Sequence, residues 1–364
     1  MTRKLGVLVH GAGWVSTQHI AAYKNNPHTR VVAISSRKLE SAKKRAEEAG
    51  LHEVKLYDDY YKALENPNVD IVSVCTPQHL HAQNTIDAAK AGKHILIEKP
   101  IANSLEEMKA MRDAVRKAKV KTVVSFVLRW NPLFESIKIL ISNGFLGKIY
   151  YVETDYQSAV AAWWSGYEDA RKKETGVSAF LVGGCHALDA ARWFASEERY
   201  SAATPVEVFA YSGGLRKGKT IQWNYYTQRW EDMPPLEYDD LEVALIKFDN
   251  GVVGKVSVNF GGVQPYTFPI EIFGDHGTIK DNRLWSAKFE GNQKNWITIP
   301  TILPDSAEVT HHPFQQEIDH FVDCILKDRE SHCNLEDAIK THEIAFAALR
   351  CYENGKPVKL PLLE

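Results

Sequence analysis

No apolar run in this 364-residue chain approaches the roughly 18 residues that a membrane-spanning helix requires. Cysteine is scarce as well: Cys75, Cys185, Cys324, Cys333 and Cys351 are odd in number and scattered, with no C-x-x-C spacing. That pattern excludes a disulfide framework and a zinc ribbon, and it points to a reducing compartment, read as the cytoplasm. An excess of one charge is also missing, since 44 Lys and Arg face 46 Asp and Glu for a formal net charge of -2. Such a balance recommends neither nucleic acid nor an anionic membrane as a partner. The basic cluster Lys43-Lys44-Arg45 sits among acids on a helix-like stretch and reads as a solvated face. Thr2-Arg3-Lys4 followed by Leu5 to Val9 imitates a signal peptide, but the apolar part is too short and glycines interrupt it. Metal-ligand spacing is absent: His79 and His81 would point apart on a helix, and His311-His312 only precede Pro313, so no metal is expected.

What is present has the texture of a soluble globular protein, and the length favours two domains. Before about residue 125, short β-branched runs alternate with amphipathic stretches. Strands are expected at Leu5–Val9, Arg30–Ser35, Val54–Leu56, Val69–Cys75, His94–Ile97 and Lys121–Phe126, with helices over 39–49, 81–91 and 105–118. Strands alternating with helices imply right-handed crossovers and a parallel sheet covered on both faces. Beyond that point a helix over 131–141 precedes alternating segments at Lys148–Asp155, Val206–Tyr211, Leu241–Phe248, Val252–Phe260 and Pro269–Phe273. Asp249-Asn250-Gly251 between two of them is a hairpin signal, and helices over 314–327 and 335–353 close the chain. The expected class is therefore α/β. A dinucleotide-binding domain covers 1–124. An α+β domain with a large, mostly antiparallel open sheet covers 125–364, its last helices packing back toward the domain junction.

The first expected strand runs into Gly11-Ala12-Gly13, and a helix-like stretch follows. That is the context of a dinucleotide fingerprint: Gly11 permits the tight turn, Gly13 lets backbone N–H groups approach a pyrophosphate, and the helix start at Trp14 and Val15 favours the anion. Ser16 stands where a third glycine belongs, a packing role that a small residue can fill. A plain structural turn is the competing reading. After the second strand comes Ser35-Ser36-Arg37-Lys38, with no acid before Glu40. Ser36 and Arg37 suit a 2'-phosphate and lean toward NADP. An exposed loop arginine is the alternative, so NAD or NADP both stand.

Two further segments end parallel strands, where ligands bind in open α/β sheets. One is Cys75-Thr76-Pro77-Gln78-His79-Leu80-His81; the other is Ile97-Glu98-Lys99-Pro100. Lys99 can donate to a substrate hydroxyl and steady a developing alkoxide, or be a surface lysine. Farther on, His186 and Asp189 stand three apart on one helical face. A histidine titrating near neutrality suits the proton transfer that accompanies hydride transfer, although a helical His-Asp pair can equally be structural.

With Gly11-Ala12-Gly13, Thr76-Pro77, Leu80-His81, Glu98-Lys99-Pro100, Gly184 with His186 and Asp189, Glu271 to Ile279, and the closing Gly355-Lys356-Pro357, the chain resembles the Gfo/Idh/MocA oxidoreductases along nearly its whole length. The resemblance implies a Rossmann domain followed by an α/β domain whose open sheet mediates homo-oligomers, and NAD(P)-dependent chemistry on sugars, inositols and their derivatives. It makes Thr76, Pro77, His81 and Glu98 cofactor-side residues and Lys99 the lysine at the substrate hydroxyl. His186 becomes the general acid/base, and the Lys99–Pro100 peptide is expected to be cis. Arg129, after the sixth strand, falls on the substrate side. One departure is Val182, where members often carry an aspartate one turn before the histidine.

Aromatic residues at loop-like positions, Trp163-Trp164, Trp223, Tyr225-Tyr226 and Trp230, suit stacking on a sugar ring or an aglycone, with core packing or a subunit interface as the alternative. The function expected is hydride exchange between nicotinamide and a ring carbon of a sugar or glycoside, with carbon-3 oxidation of glucosides as the preferred case. Lys99 and His186 would carry it, with Arg129, Trp163 and Asp189 contacting substrate. Glycoside cleavage with retained NAD, and a non-catalytic NAD(P)- and sugar-binding regulator, are the alternatives.

Overall fold

A computed structural model describes residues 3–162, 164–290, 294–301, 303–304 and 312–363. Two compact units emerge, neither contiguous in sequence: Met1–Val127 with Val309–Ile339, and Leu128–Glu308 with Lys340–Glu364.

In the first unit, β1 (Leu5–His10), β2 (Thr29–Ser35), β3 (Lys55–Tyr57), β4 (Ile71–Val74), β5 (His94–Ile97) and β6 (Thr122–Val124) form a parallel sheet in the order β3-β2-β1-β4-β5-β6. Val7, Leu8 and Val9, like Ile95, Leu96 and Ile97, are fully buried, as strands covered on both faces require. The crossovers are α1 (Val15–Asn25), α2 (Leu39–Glu48), α3 (Tyr60–Leu64), α4 (His81–Lys90) and α5 (Leu105–Ala118). Helix α5 starts on a side-chain cap. The Ser104 side chain accepts the Glu107 N–H at 3.1 Å, and the Glu107 carboxylate accepts that of Asn103 at 2.8 Å.

A helix from late in the chain, Phe314–Leu326, belongs to this unit, so the linear boundary expected at 124 describes only part of the division. The cause is a second amphipathic surface. Phe314, Ile318, Phe321 and Val322 are buried, Asn26 Nδ2 donates to Asp319 Oδ1 at 2.7 Å, and Gln315 Nε2 donates to the Ala22 carbonyl at 3.2 Å.

The second unit begins with α6 (Pro132–Ser142), β7 (Ile149–Gln157), α7 (Tyr167–Ala170) and a π turn, Phe180–Gly184, that runs into α8 (Cys185–Phe194). There follow β8 (Pro205–Gly213), β9 (Ile221–Asn224), β10 (Arg229–Asp232), β11 (Leu241–Phe248), β12 (Val253–Asn259), β13 (Ile270–Gly274), β14 (Gly277–Lys280), β15 (Arg283–Ser286) and β16 (Ile297–Thr298). The helix Phe314–Leu326 is α9; α10 (Leu335–Asn354) and β17 (Val358–Lys359) end the chain. Nine strands form one sheet in the order β16-β15-β14-β13-β7-β12-β11-β8-β17, antiparallel throughout except for β7 beside β12. Period-two alternation sorts its faces: on β11, Ala244, Ile246 and Phe248 are buried while Leu245 is exposed. Gly251, at φ +86°, makes the expected turn between β11 and β12.

Strands β9 and β10, by contrast, form a separate hairpin where the aromatic residues were expected in loops. Trp223 lies opposite Trp230, the rings meeting edge-on at 5.7 Å.

Candidate active site

The chain leaves β1 through Gly11 at φ +109°, where a Cβ would lie 2.3 Å from the Cys75 carbonyl oxygen. Backbone conformation and close approach both require glycine there. Gly13 faces open space, the nearest atom to a Cβ being that same oxygen at 3.9 Å. Trp14 is exposed and gives α1 no side-chain cap; in the first turn, from Val15, the Thr17 N–H is bonded to the Trp14 carbonyl at 3.0 Å. Ser16 is fully buried, and its hydroxyl donates to the Gly13 carbonyl at 2.6 Å. The residue in the third glycine's place thus fastens the loop. From α2, Arg45 Nε donates to the Ala12 carbonyl at 3.1 Å. A glycine loop with open space before an uncapped helix start fits the pyrophosphate of a dinucleotide. Beyond β2, the Ser36 N–H is bonded to the Tyr57 carbonyl at 3.0 Å and Arg37 is exposed.

The same strand ends hold the Glu98-Lys99-Pro100 segment, whose Lys99–Pro100 peptide is cis, as the resemblance implied. His81 is buried between the carbonyl oxygens of Pro100 and Thr76, 2.7 Å from each, and so ties the β5 end to the β4 end. Asn84 Nδ2 holds the Thr76 hydroxyl oxygen at 2.9 Å, and Pro77 is exposed just beyond. Glu98 is buried; one carboxylate oxygen meets His19 Nε2 at 3.0 Å and the other accepts the Lys99 N–H at 3.2 Å. His19, fully buried on α1, also meets the Ser73 hydroxyl at 2.7 Å. Burial opposes charge on His19, but Cys75 and Glu98 outweigh it and hold its pKa well above the ordinary value. Burial likewise opposes ionisation of Glu98, yet His19 keeps that carboxyl below its ordinary value. Lys99 itself stays partly exposed above this network.

In the second unit, His186 is buried in the first turn of α8. The Thr154 hydroxyl on β7 donates to the carbonyl of its neighbour Ala187 at 2.8 Å. Val182 is buried on the π turn, so no carboxylate stands at that place. Asp189 does not supply one to His186 either. Arg129 Nε and Nη2 donate to its two oxygens at 2.7 and 2.5 Å, the Thr341 hydroxyl adds a bond at 3.0 Å, and all three side chains are buried. Arg129 and Asp189 thus satisfy each other inside the fold. Trp163 lies outside the described residues.

Gly11, Thr76, His81, Glu98 and Lys99 are thus brought together at one end of the parallel sheet, and Arg129 is joined to Asp189 in the other unit. The residues that sequence reasoning passed over are buried polar groups on otherwise apolar faces. His19 shares its helix face with Ser16, Ile20 and Tyr23, and Glu317 shares one with Phe314, Ile318 and Phe321. Glu242 lies in the inward register of β11. A charge at an apolar position is the signal that could have found each. Among the described residues, no group of three or more His, Cys, Asp or Glu could hold a metal ion, and no helix is long and apolar enough to cross a membrane.

Comparison with known proteins agrees with this geometry. An oxidoreductase-family model described by its NAD-binding Rossmann fold matches residues 5–126, and the family's C-terminal alpha/beta domain matches residues 138–360. The chain is 28% identical to scyllo-inositol 2-dehydrogenase (NAD(+)) of Bacillus subtilis, over 92% of its own length and 90% of that protein's. It is 32% identical to levoglucosan dehydrogenase of Pseudarthrobacter phenanthrenivorans, over 62% of this chain and 58% of that one. In fold it resembles the apo form of levoglucosan dehydrogenase with a TM-score of 0.85 at 23% identity, each chain covered completely. The chain belongs to the Gfo/Idh/MocA family of NAD-binding oxidoreductases, whose members similar to it include inositol and sugar dehydrogenases.

Proposed function

We propose that this protein oxidises a ring hydroxyl of a sugar or glycoside, or reduces the corresponding ketone, with Lys99 and His186 as its catalytic residues. The observation that carries the proposal is the grip on Lys99. Glu98 and His81 fix the main chain on either side of it at the sheet end that also bears the Gly11–Gly13 loop. NAD held at that loop supplies the hydride acceptor. In the oxidative direction the Lys99 ammonium donates a hydrogen bond to the reacting oxygen and steadies its negative charge, while His186 takes the hydroxyl proton. Exposed Arg37, with no acid before Glu40, supports acceptance of NADP as well. The five cysteines are free and buried, which supports the cytoplasm as the compartment.

The buried valine at 182 favours one rival, a cofactor-bound sugar-binding protein without turnover. A substrate panel decides between them: nicotinamide absorbance is followed with levoglucosan, an alkyl glucoside, myo-inositol and scyllo-inositol, each with NAD and NADP. The glucoside is expected to react faster than myo-inositol. Binding of a sugar and of NAD without any reduction would favour the rival.

The open face of the nine-stranded sheet supports docking of a second copy of the chain. Tyr211 (69% exposed), Leu245 (51%) and Val253 (43%) share that face with Phe209 and Val243. Solution molar mass is expected to exceed that of one chain, and Leu245→Asp is expected to lower it.

A further inference from the structure

Glu242 occupies the inward register of β11, where the other positions are the apolar Ala244, Ile246 and Phe248. Its carboxylate accepts the N–H of Phe180 at 2.8 Å and that of Ala179 at 3.3 Å, at the start of the π turn. The rest of the turn is fixed by close packing on the sheet. A Cβ on Gly183 would lie 3.0 Å from the rings of Phe260 and Tyr156, and one on Gly184 would lie 2.9 Å from Val258. Turns of this wide kind are rare and recur at functional sites. Here the turn delivers the chain directly to His186.

We propose that Glu242 is the positioning residue of His186: by holding the first N–H groups of the π turn from the sheet beneath, it sets the direction in which α8 presents the imidazole. The assignment rests on the reading of His186 as the proton carrier. It also places a buried carboxyl at the histidine's helix from another strand, where Val182 provides none.

The groups that face Glu242 come from every element around it: Asp239 and Tyr238 from the approach to β11, Tyr352 from α10, and Ser178, Ala179 and Phe180 from the turn. None of these is a cation. Burial therefore pushes its carboxyl up to about 8, against the pull of the N–H donors.

The test uses the full-length protein and two variants. Glu242→Gln keeps an acceptor for the turn but cannot ionise, whereas Glu242→Leu removes the acceptor. In the wild type, the ring signals of His186 in 15N-histidine NMR are expected to shift with a midpoint near pH 8, and the shift should vanish in Glu242→Gln. The rate constant kcat of Glu242→Leu should fall on the order of tenfold or more, with KM for NAD unchanged, because small misplacement of a reacting group is costly. Glu242→Gln should restore most of it without the pH 8 inflection. Identical His186 signals and kcat–pH profiles in wild type and Glu242→Gln overturn the proposal, even if Glu242→Leu fails to fold. The NMR arm needs no turnover. An intact pH 8 transition in a protein that oxidises no sugar therefore counts for the positioning role and against the proposed function.

Discussion

Glu317 on α9 and Glu242 on β11 are fully buried carboxyls, one in each unit, and burial pushes both up to about 8. Their surroundings differ. Glu317 accepts the Ser125 hydroxyl at 3.1 Å and lies within electrostatic reach of His19, which favours its ionisation, and Glu98, which opposes it. Glu242 meets backbone N–H groups, hydroxyls and another acid. Around Glu317 the polar interior is a set of charges in mutual balance, so deleting one strands another. Around Glu242 it is a single acceptor at the end of a helical turn, for which a neutral acceptor can substitute, while the buried Arg129–Asp189 pair of the same unit stands apart from it. The two residues proposed to carry the chemistry inherit this difference. Lys99 is held through charge and imidazole contacts to its main chain; His186 is held through backbone geometry and glycine packing.

The largest effect should come from breaking the charge balance. Glu98→Ala leaves the buried His19 cation without its carboxylate, a loss on the order of 3–5 kcal/mol. The thermal midpoint should then fall by roughly 10 °C, as read by circular dichroism. A midpoint unchanged within experimental error would mean that the first unit is not held by balanced charges, and the contrast with the second would collapse.

A smaller and more discriminating effect concerns pH. The carboxyl of Glu317 moves from 4.5 to about 8 on folding, so the folded chain retains a proton that the unfolded chain releases. Its contribution to stability is full below about 4.5, declines as pH rises, and is gone above about 8. Glu317→Gln removes that dependence, so its thermal midpoint should drop less than the wild type's between pH 6 and pH 9. Equal drops in the two proteins would show that Glu317 does not hold its proton in the fold.

Much of the first unit could be read from the chain. Strands β1, β2, β4 and β5 are short apolar runs followed by amphipathic stretches, and Gly11, Thr76, His81 and Glu98-Lys99-Pro100 all fall at their ends. The return of α9 to this unit could not be read, because an amphipathic helix announces that it will be covered but not by what. The β9–β10 hairpin was missed for a related reason. Its strands are short, and the aromatic pair Trp223 and Trp230 gives no local sign of facing each other across a turn. Arg129 and Asp189 were legible as chemistry but not as partners, since their pairing with each other and with Thr341 joins segments far apart in sequence. His19, Glu317 and Glu242 stood in plain view as polar residues at apolar positions, and only the fold reveals which groups they serve.

Isotope transfer tests the central claim most directly. A sugar carrying deuterium on the reacting ring carbon is incubated with NAD and the full-length protein, and the reduced nicotinamide is weighed by mass spectrometry. Deuterium is expected to appear in the reduced cofactor, and its rate of appearance should fall by on the order of 100-fold or more in Lys99→Met and in His186→Ala. Reduced cofactor without deuterium from any ring-labelled sugar, or undiminished transfer in both variants, would contradict the account.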